Sequence, residues 1–230
     1  EMEKPFIQMN IKATLEAYGL SDVVTRDFTR KTVPASKEAP QIQQVLGNAP
    51  LWNKDQLAQV YRELEELRPY YNFPLINFGR YSVNGRYQQV LLAARELEYA
   101  HLPEPAKSWV NRHLTYTHGY GLVITPANQA GGEPMVWFMR GIPMRSDYNL
   151  AVKRAEIYFG NGAYNSYVIA PSATEEIDYP QADGNVTSHY RGRGGVTMSS
   201  LLKRMAFAYY LKDRNILISQ QVVEQSRILF

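Results

Sequence analysis

His113 and His118 stand five residues apart in the run Trp109-Val110-Asn111-Arg112-His113-Leu114-Thr115-Tyr116-Thr117-His118-Gly119-Tyr120-Gly121, which crowds imidazoles, a guanidinium, hydroxyls and rings into one passage. Metal binding would use the two imidazoles. Five residues on a helix, however, separate side chains by about 140° in azimuth, whereas helical zinc pairs are four apart. The helix would have to end between them, with a third ligand from His101, His189, Asp178 or Asp183. Hydrolysis would use His113 or His118 as general base and Ser108, Thr115, Thr117 or a water as nucleophile. No Gly-x-Ser-x-Gly elbow supports it. The third arrangement is inert: His113 packs under Trp109 with its ring hydrogen-bonded, and His118 pins the Gly119-Tyr120-Gly121 turn. It is the one expected here, with Trp109, Arg112, Tyr116 and Tyr120 offering a contact surface and no metal or cofactor involved.

A second polar feature is Arg191-Gly192-Arg193-Gly194-Gly195-Val196-Thr197, read as a loop opening onto a helix. Free N–H groups at a helix start, beside Arg191 and Arg193, favour an anion such as a phosphate, a lipid headgroup or a carboxylated glycan. Arg191, Arg193, Gly194, Gly195 and Thr197 are therefore the anion-site candidates. The loop is neither a Walker motif nor a dinucleotide fingerprint, because no Gly-Lys-Ser/Thr follows and Thr197 replaces the last glycine. Glu175-Glu176 and the pair Asp178 and Asp183 could serve glycoside chemistry, but carboxylates in a loop fix no separation. Asp183-Gly184-Asn185 lacks the distal Glu of a calcium loop.

The elements that must position these groups follow from periodicity. Pro5, then Ile7, Ile11, Leu15 and Tyr18 before Gly19, predict a first helix. Residues 21–50 predict a surface arm with at most a short strand at Val23–Phe28. Asn53 and Gln56 begin a helix with Leu57, Val60, Tyr61, Leu64 and Leu67 inward, ending at Arg68-Pro69. Asn84-Gly85 predicts a hairpin, since both central residues of its turn need positive φ. Pro103 and Pro105 introduce a helix reaching Thr115, and Leu122-Val123-Ile124 reads as a buried strand. Past a Gly131-Gly132 turn, Met135–Met139 reads as a strand, and Glu156–Phe159 with Tyr167–Ala170 as a second hairpin. Residues 178–185 read as loop. Thr197 or Ser199 caps a last helix with Leu201, Leu202, Met205, Ala208 and Tyr209 inward. The pattern predicts α+β, an antiparallel or mixed sheet with packed helices: a helical N-terminal arm over residues 1–50 and a core over 51–230.

Composition sets wider bounds. With 230 residues, 45% of them hydrophobic, the chain can bury a sizeable core. The absence of cysteine removes disulfides, thiolate metal sites and cysteine nucleophiles. A formal charge of +3, without a polybasic run, does not suggest a nucleic-acid partner. The twelve per cent aromatic content, with 17 Tyr, suits carbohydrate stacking and core packing equally. No apolar run approaches the roughly 20 residues that cross a bilayer. Beginning on Glu1 and stopping at the apolar Ser226–Phe230, the chain reads as a piece of a longer protein.

Several motifs occur in a specific order: Asn10-Ile11-Lys12-Ala13-Thr14, Ala17-Tyr18-Gly19-Leu20, Arg68-Pro69-Tyr70-Tyr71, Leu92–Leu97, Trp109–Leu114 with Tyr116–Gly121, Ile157–Gly160, Asp178-Tyr179-Pro180, and Gly194-Gly195-Val196 before Leu201-Leu202. In these the chain resembles the bacterial family of uncharacterised, UPF-type multi-pass membrane proteins, over nearly its whole length. The resemblance implies membrane helices in the N-terminal part of the full protein and a long extracytoplasmic part from which this chain is a slice. It implies no reaction and assigns no site residue. The expected role is a non-enzymatic binding or assembly domain at the outer face of the cell membrane, with an anionic lipid or glycan as ligand. The alternative is an envelope hydrolase using His113 or His118.

Overall fold

Pro5 in the first turn and Gly19 at the exit bound helix α1 (Lys4–Ala17), as the sequence predicts. Gly19 takes φ 64°, and the Leu20 N–H closes back on the Leu15 carbonyl at 2.8 Å. The computed structural model describes residues 3–27, 35–129, 134–162 and 167–230. It divides into two compact units, residues 1–43 and 44–230. The predicted arm is instead partly helical: α2 (Ala35–Leu46) forms with Pro40 inside it. Residues 23–27 carry no strand, and Phe28 lies outside the described residues.

In the larger unit, Asn53 caps α3 (Lys54–Glu65), its Oδ1 accepting from the N–H of Asp55 at 2.8 Å and of Gln56 at 3.4 Å. Leu57, Tyr61 and Glu65, spaced by four, form the buried face. Leu64 and Leu67, predicted inward, are exposed. Glu65 takes the inward place because Arg95, fully buried, meets it: Nη2 donates to Oε2 at 3.0 Å and Nε to the Glu65 carbonyl at 3.1 Å.

The strands are β1 (Tyr71–Asn72), β2 (Asn77–Val83), β3 (Arg86–Ala94), β4 (Glu96–Leu97), β5 (Gly119–Tyr120) and β6 (Leu122–Pro126), then β7 (Glu156–Ile157), β8 (Val168–Ala170), β9 (Glu176–Gln181), β10 (Gly184–Ser188), β11 (Val196–Thr197) and β12 (Arg227–Leu229). Every pairing among them is antiparallel, so the fold is α+β as predicted. Asn84 and Gly85, at φ 50° and 77°, close the predicted β2–β3 hairpin. Sheet β2-β3-β6 carries the first core, in which Leu57, Tyr61, Phe73, Leu91 and Val123 pack together. Each large side chain of this kind adds about 1.5–3 kcal/mol on burial. A second core, including Leu114, Ile169, Met198, Ile216 and Ile228, lies under sheet β11-β12-β8.

Four further expectations are corrected. Val168–Ala170 pairs with β12, and Glu156–Ile157 pairs with β5, so the two segments do not form a hairpin with each other. Residues 178–185 are no loop: β9 and β10 make a hairpin with a bulge at Val186/Thr187, closed by Gly184 at φ 141°. Met135–Met139 is irregular and touches the sheet through the Ile124–Met139 bridge, while the Gly131-Gly132 turn lies outside the described residues. Helix α4 (Leu201–Tyr210) is capped by Ser200, whose Oγ accepts from the Lys203 N–H, and of the expected inward side chains only Ala208 is buried. A short helix, α5 (Asn215–Ile218), follows.

Candidate functional site

The helix predicted from Pro103 to Thr115 is reduced to a 3₁₀ turn at Glu104–Ala106 and a π-helical turn at Asn111–Thr115, where the Tyr116 N–H reaches the Asn111 carbonyl at 2.8 Å. Its end passes directly into Thr117, His118 and β5. Gly119 is required there by close approach: a Cβ would meet the Arg95 carbonyl oxygen and Glu96 Cα, both backbone atoms of the adjacent segment. His118 is thereby pressed inward at 3% exposure.

Strand β9 meets it. Side chains two apart on a strand share a face, so Glu176 and Asp178 both project toward His118 and are both buried. His118 Nε2 lies 3.1 Å from Asp178 Oδ1, and Nδ1 lies 2.9 Å from Thr117 Oγ1. The Thr117 hydroxyl donates to Glu176 Oε2 at 2.8 Å, which also receives the Tyr158 hydroxyl at 2.5 Å. The Tyr190 N–H donates to Glu176 Oε1 at 2.8 Å, and Ser188 Oγ donates to Asp178 Oδ1 at 2.5 Å. Because the single Thr117 proton goes to Glu176, the ring nitrogen facing Thr117 must be the donor in that pair. The Tyr158 ring rests on the imidazole at 4.5 Å between centroids. Burial first, and the Glu176 charge second, push the Tyr158 hydroxyl well above the usual tyrosine range.

His113 belongs to a different network. Its ring stacks on Tyr167 at 4.1 Å, and Nδ1 lies 2.9 Å from the Tyr167 carbonyl oxygen. Burial holds its pKa below that of an ordinary histidine. Trp109 Nε1 and the Tyr167 hydroxyl both donate to Asp213 Oδ2, at 2.8 and 2.6 Å. Burial raises the Asp213 carboxyl, but the hydrogen bonds from Tyr167, the Asn215 N–H and Trp109 together hold it below the usual carboxylate range. Both histidines are thus buried, as the inert arrangement requires, and they do not converge. Among the described residues no group of three or more His, Asp or Glu is placed to hold a metal. Of the other proposed ligands, His101 is exposed beside Glu98, while His189 and Asp183 are exposed on or next to the β9–β10 hairpin.

Beside His118 opens a cavity of about 210 Å³, lined by Tyr116, Thr117, Tyr158, Phe159 and Tyr167 among others. The turn at Asn161 and Gly162, on its rim, is held by N–H donation to the Glu96 carboxylate at 3.0–3.1 Å. Of the predicted contact residues, Trp109 is half-buried against Asp213, and Tyr116 packs edge-on to Tyr70. Tyr120 packs against Tyr179, and burial followed by that neighbour pushes its hydroxyl up to about 12. Only Arg112 is exposed, its guanidinium over the Tyr99 ring.

The Arg191–Thr197 loop does not open onto a helix. Val196 and Thr197 form β11, and α4 starts after Ser200. The loop turns carbonyls inward: Arg227 donates from Nε to the Gly194 oxygen at 2.6 Å and from Nη2 to the oxygens of Arg193 and Gly195, both at 2.8 Å. Gly195 has no room for a side chain against Leu229 and Ile228. Arg191 and Arg193 are exposed. The helix start on which the anion expectation relied is therefore not at Thr197.

The sequence reading missed Glu176 as a partner of His118. The available signal was the alternation of Glu176, Asp178 and Pro180 with Ile177, Tyr179 and Gln181, hidden by residue types that strands usually avoid.

The model of the family described as "Uncharacterised protein family (UPF0182)" matches residues 1–230. A UPF0182 protein of Syntrophobacter fumaroxidans is 48% identical over 228 residues, covering 99% of this chain and 26% of the relative. One of Nitrosococcus oceani is 48% identical over 230 residues, covering 100% and 26%. One of Trichodesmium erythraeum is 42% identical, covering 99% and 25%. The chain spans about a quarter of the length of the curated relatives it matches. No solved structure matches.

Proposed function

The chain belongs to the uncharacterised protein family UPF0182, and from that premise we propose that it is a non-enzymatic binding domain whose ligand sits in the ring-lined cavity beside His118. The observation that carries the reading is that both His118 ring nitrogens are engaged by protein groups, Thr117 and Asp178. A general base needs a nitrogen within reach of a substrate proton; this one serves as a girder. The cavity, smaller than the roughly 300–1,000 Å³ of sites for drug-sized ligands, suits one ring-sized group. Its tyrosine and phenylalanine faces favour a saccharide ring, whose C–H face stacks on aromatics while its hydroxyls meet polar edges. Placement on the extracytoplasmic side of a membrane protein is part of the proposal. It rests on the family resemblance and on relatives about four times as long. Among the described residues no helix is long and apolar enough to cross a membrane.

The test is calorimetric titration with a panel of neutral and carboxylated monosaccharides. Binding by at least one, lost in Tyr116→Ala and Phe159→Ala variants that keep the parent circular dichroism, supports the reading. No heat from any sugar defeats it.

One observation favours a second reading. Thr117 Oγ1, His118 and Asp178 stand in the order nucleophile, base and orienting acid, and Thr117 and His118 both line the cavity. As a hydrolase the site would need the Thr117 proton turned from Glu176 toward His118. Ester or glycoside turnover abolished by Thr117→Val would establish it.

A further inference from the structure

Helix α4 is apolar on its outer face as well as its inner one. At about 100° per residue, Arg204, Phe207, Ala208 and Leu211 fall on the side turned to the core, and these four are buried or half-buried. The opposite arc, over roughly 140°, holds Leu202, Met205, Ala206, Tyr209 and Tyr210, every one exposed. Leu202 is 73% and Tyr209 88% accessible. A helix face turned to water normally carries charge; this one carries none within the arc. Ile218 on α5, 67% exposed, extends the same apolar character onto the next helix.

The charges lie outside this arc and are mostly positive. Between Leu201 and Ser219 the chain carries Lys203, Arg204, Lys212 and Arg214 against a single acid, Asp213, a net of three positive charges that equals the formal charge of the whole chain. Asp213 gives one carboxylate oxygen to Trp109 and Tyr167 and the other to the Asn215 N–H. Among the described residues no carboxylate lies within salt-bridge distance of the four cations. Lys203 reaches only hydroxyls, Thr197 Oγ1 at 3.0 Å and Ser199 Oγ at 3.5 Å.

We propose that the exposed face of α4, with α5, docks onto an anionic lipid bilayer surface. The aliphatic side chains would enter the headgroup boundary, Tyr209 and Tyr210 would lie at the interface, and the flanking cations would meet lipid phosphates. A second copy of the chain fits less well: a symmetric pairing would set cations against cations, and protein interfaces are depleted of Lys at their centres. The proposal is independent of the cavity beside His118, which lies on other elements.

The experiment is flotation of the 230-residue chain with vesicles of equal parts phosphatidylcholine and phosphatidylglycerol, against pure phosphatidylcholine. Expected are binding to the anionic vesicles that weakens with added salt, little to the neutral ones, and loss of binding in Leu202→Asp and Tyr209→Asp. Lys212→Ala and Arg214→Ala should each weaken binding about fivefold. Arg191→Ala with Arg193→Ala, exposed cations on a different loop, should leave it unchanged. All of these positions are exposed, and circular dichroism confirms that each variant is folded. The proposal is overturned if neither vesicle binds, if binding survives both Asp substitutions, or if the Arg191 and Arg193 pair carries it. It is also overturned if Leu202→Asp and Tyr209→Asp instead abolish self-association in sedimentation while vesicles do not bind.

Discussion

His118 and Asp178 come from segments sixty residues apart and meet at 3.1 Å, Nε2 to Oδ1, inside protein that leaves the histidine side chain no solvent. This contact ties the passage around β5 to the β9–β10 hairpin. Removing one partner of a buried polar pair leaves the other uncompensated, at a cost of about 3–5 kcal/mol. His118→Gln and Asp178→Leu should each lower the unfolding free energy measured in urea by that order, and the double variant should lose less than the sum of the two. Additive losses in the double-mutant cycle would show that the contact couples nothing.

Glu65 and Arg95 form the second buried pair, joined by the Gly141 N–H, which donates to Glu65 Oε2 at 2.8 Å. Glu65→Leu should destabilise by about 3–5 kcal/mol by stranding a fully buried guanidinium, and Glu65→Leu with Arg95→Met should recover part of the loss. The reading fails if the double variant is no more stable than the single one in chemical denaturation.

Gly119 lies against the backbone of Arg95 and Glu96 with no space for a methyl group. Gly119→Ala should therefore cost about 1–3 kcal/mol, whereas Gly85→Ala, with open space but φ 77°, should cost only the conformational penalty of roughly 1 kcal/mol. Thermal unfolding of both variants compares the two; equal effects would remove close approach as the reason for Gly119.

Burial holds the His113 pKa below its ordinary value of 6.5, so the unfolded chain binds more protons than the folded one just below that pH. Its contribution is complete above about pH 6.5 and is lost as pH falls through the folded-state value. His113→Phe, which keeps a ring for the Tyr167 stack, should flatten the acid side of the stability profile below pH 6.5. An unchanged slope would assign that limb to other groups.

What the sequence disclosed was local. The Asn53 cap, the Asn84-Gly85 turn and the Leu122–Ile124 strand follow from interactions within a few residues, and all three stand. The inward faces of α3 and α4 followed only in part: Leu57, Tyr61 and Ala208 are buried as expected, but hydropathy alone cannot foresee that Glu65 will be enclosed by Arg95 or that Leu64 and Leu202 will face outward. The burial of the two histidines could be read from the rings around them. Their separation into two networks could not, since the partners Asp178, Glu176 and Asp213 arrive from distant strands and loops. The β9–β10 hairpin was hidden by Asp178, Pro180 and Asn185, residue types that usually mark loops. The loop at Arg191 shows the opposite error: its glycines look like the mouth of a helix, whereas Val196 and Thr197 form a strand paired with β12.

Strand β12 lies between β8 and β11, so its three residues supply the edge on which both neighbours depend. In chain order, sheet β2-β3-β6 has all its strands by Pro126. The other sheet must wait for Arg227 to Leu229, about a hundred residues later. Until those residues pair, Ile169 and Met198 lack Ile228 in their core, and the seam between β8 and β11 stays open.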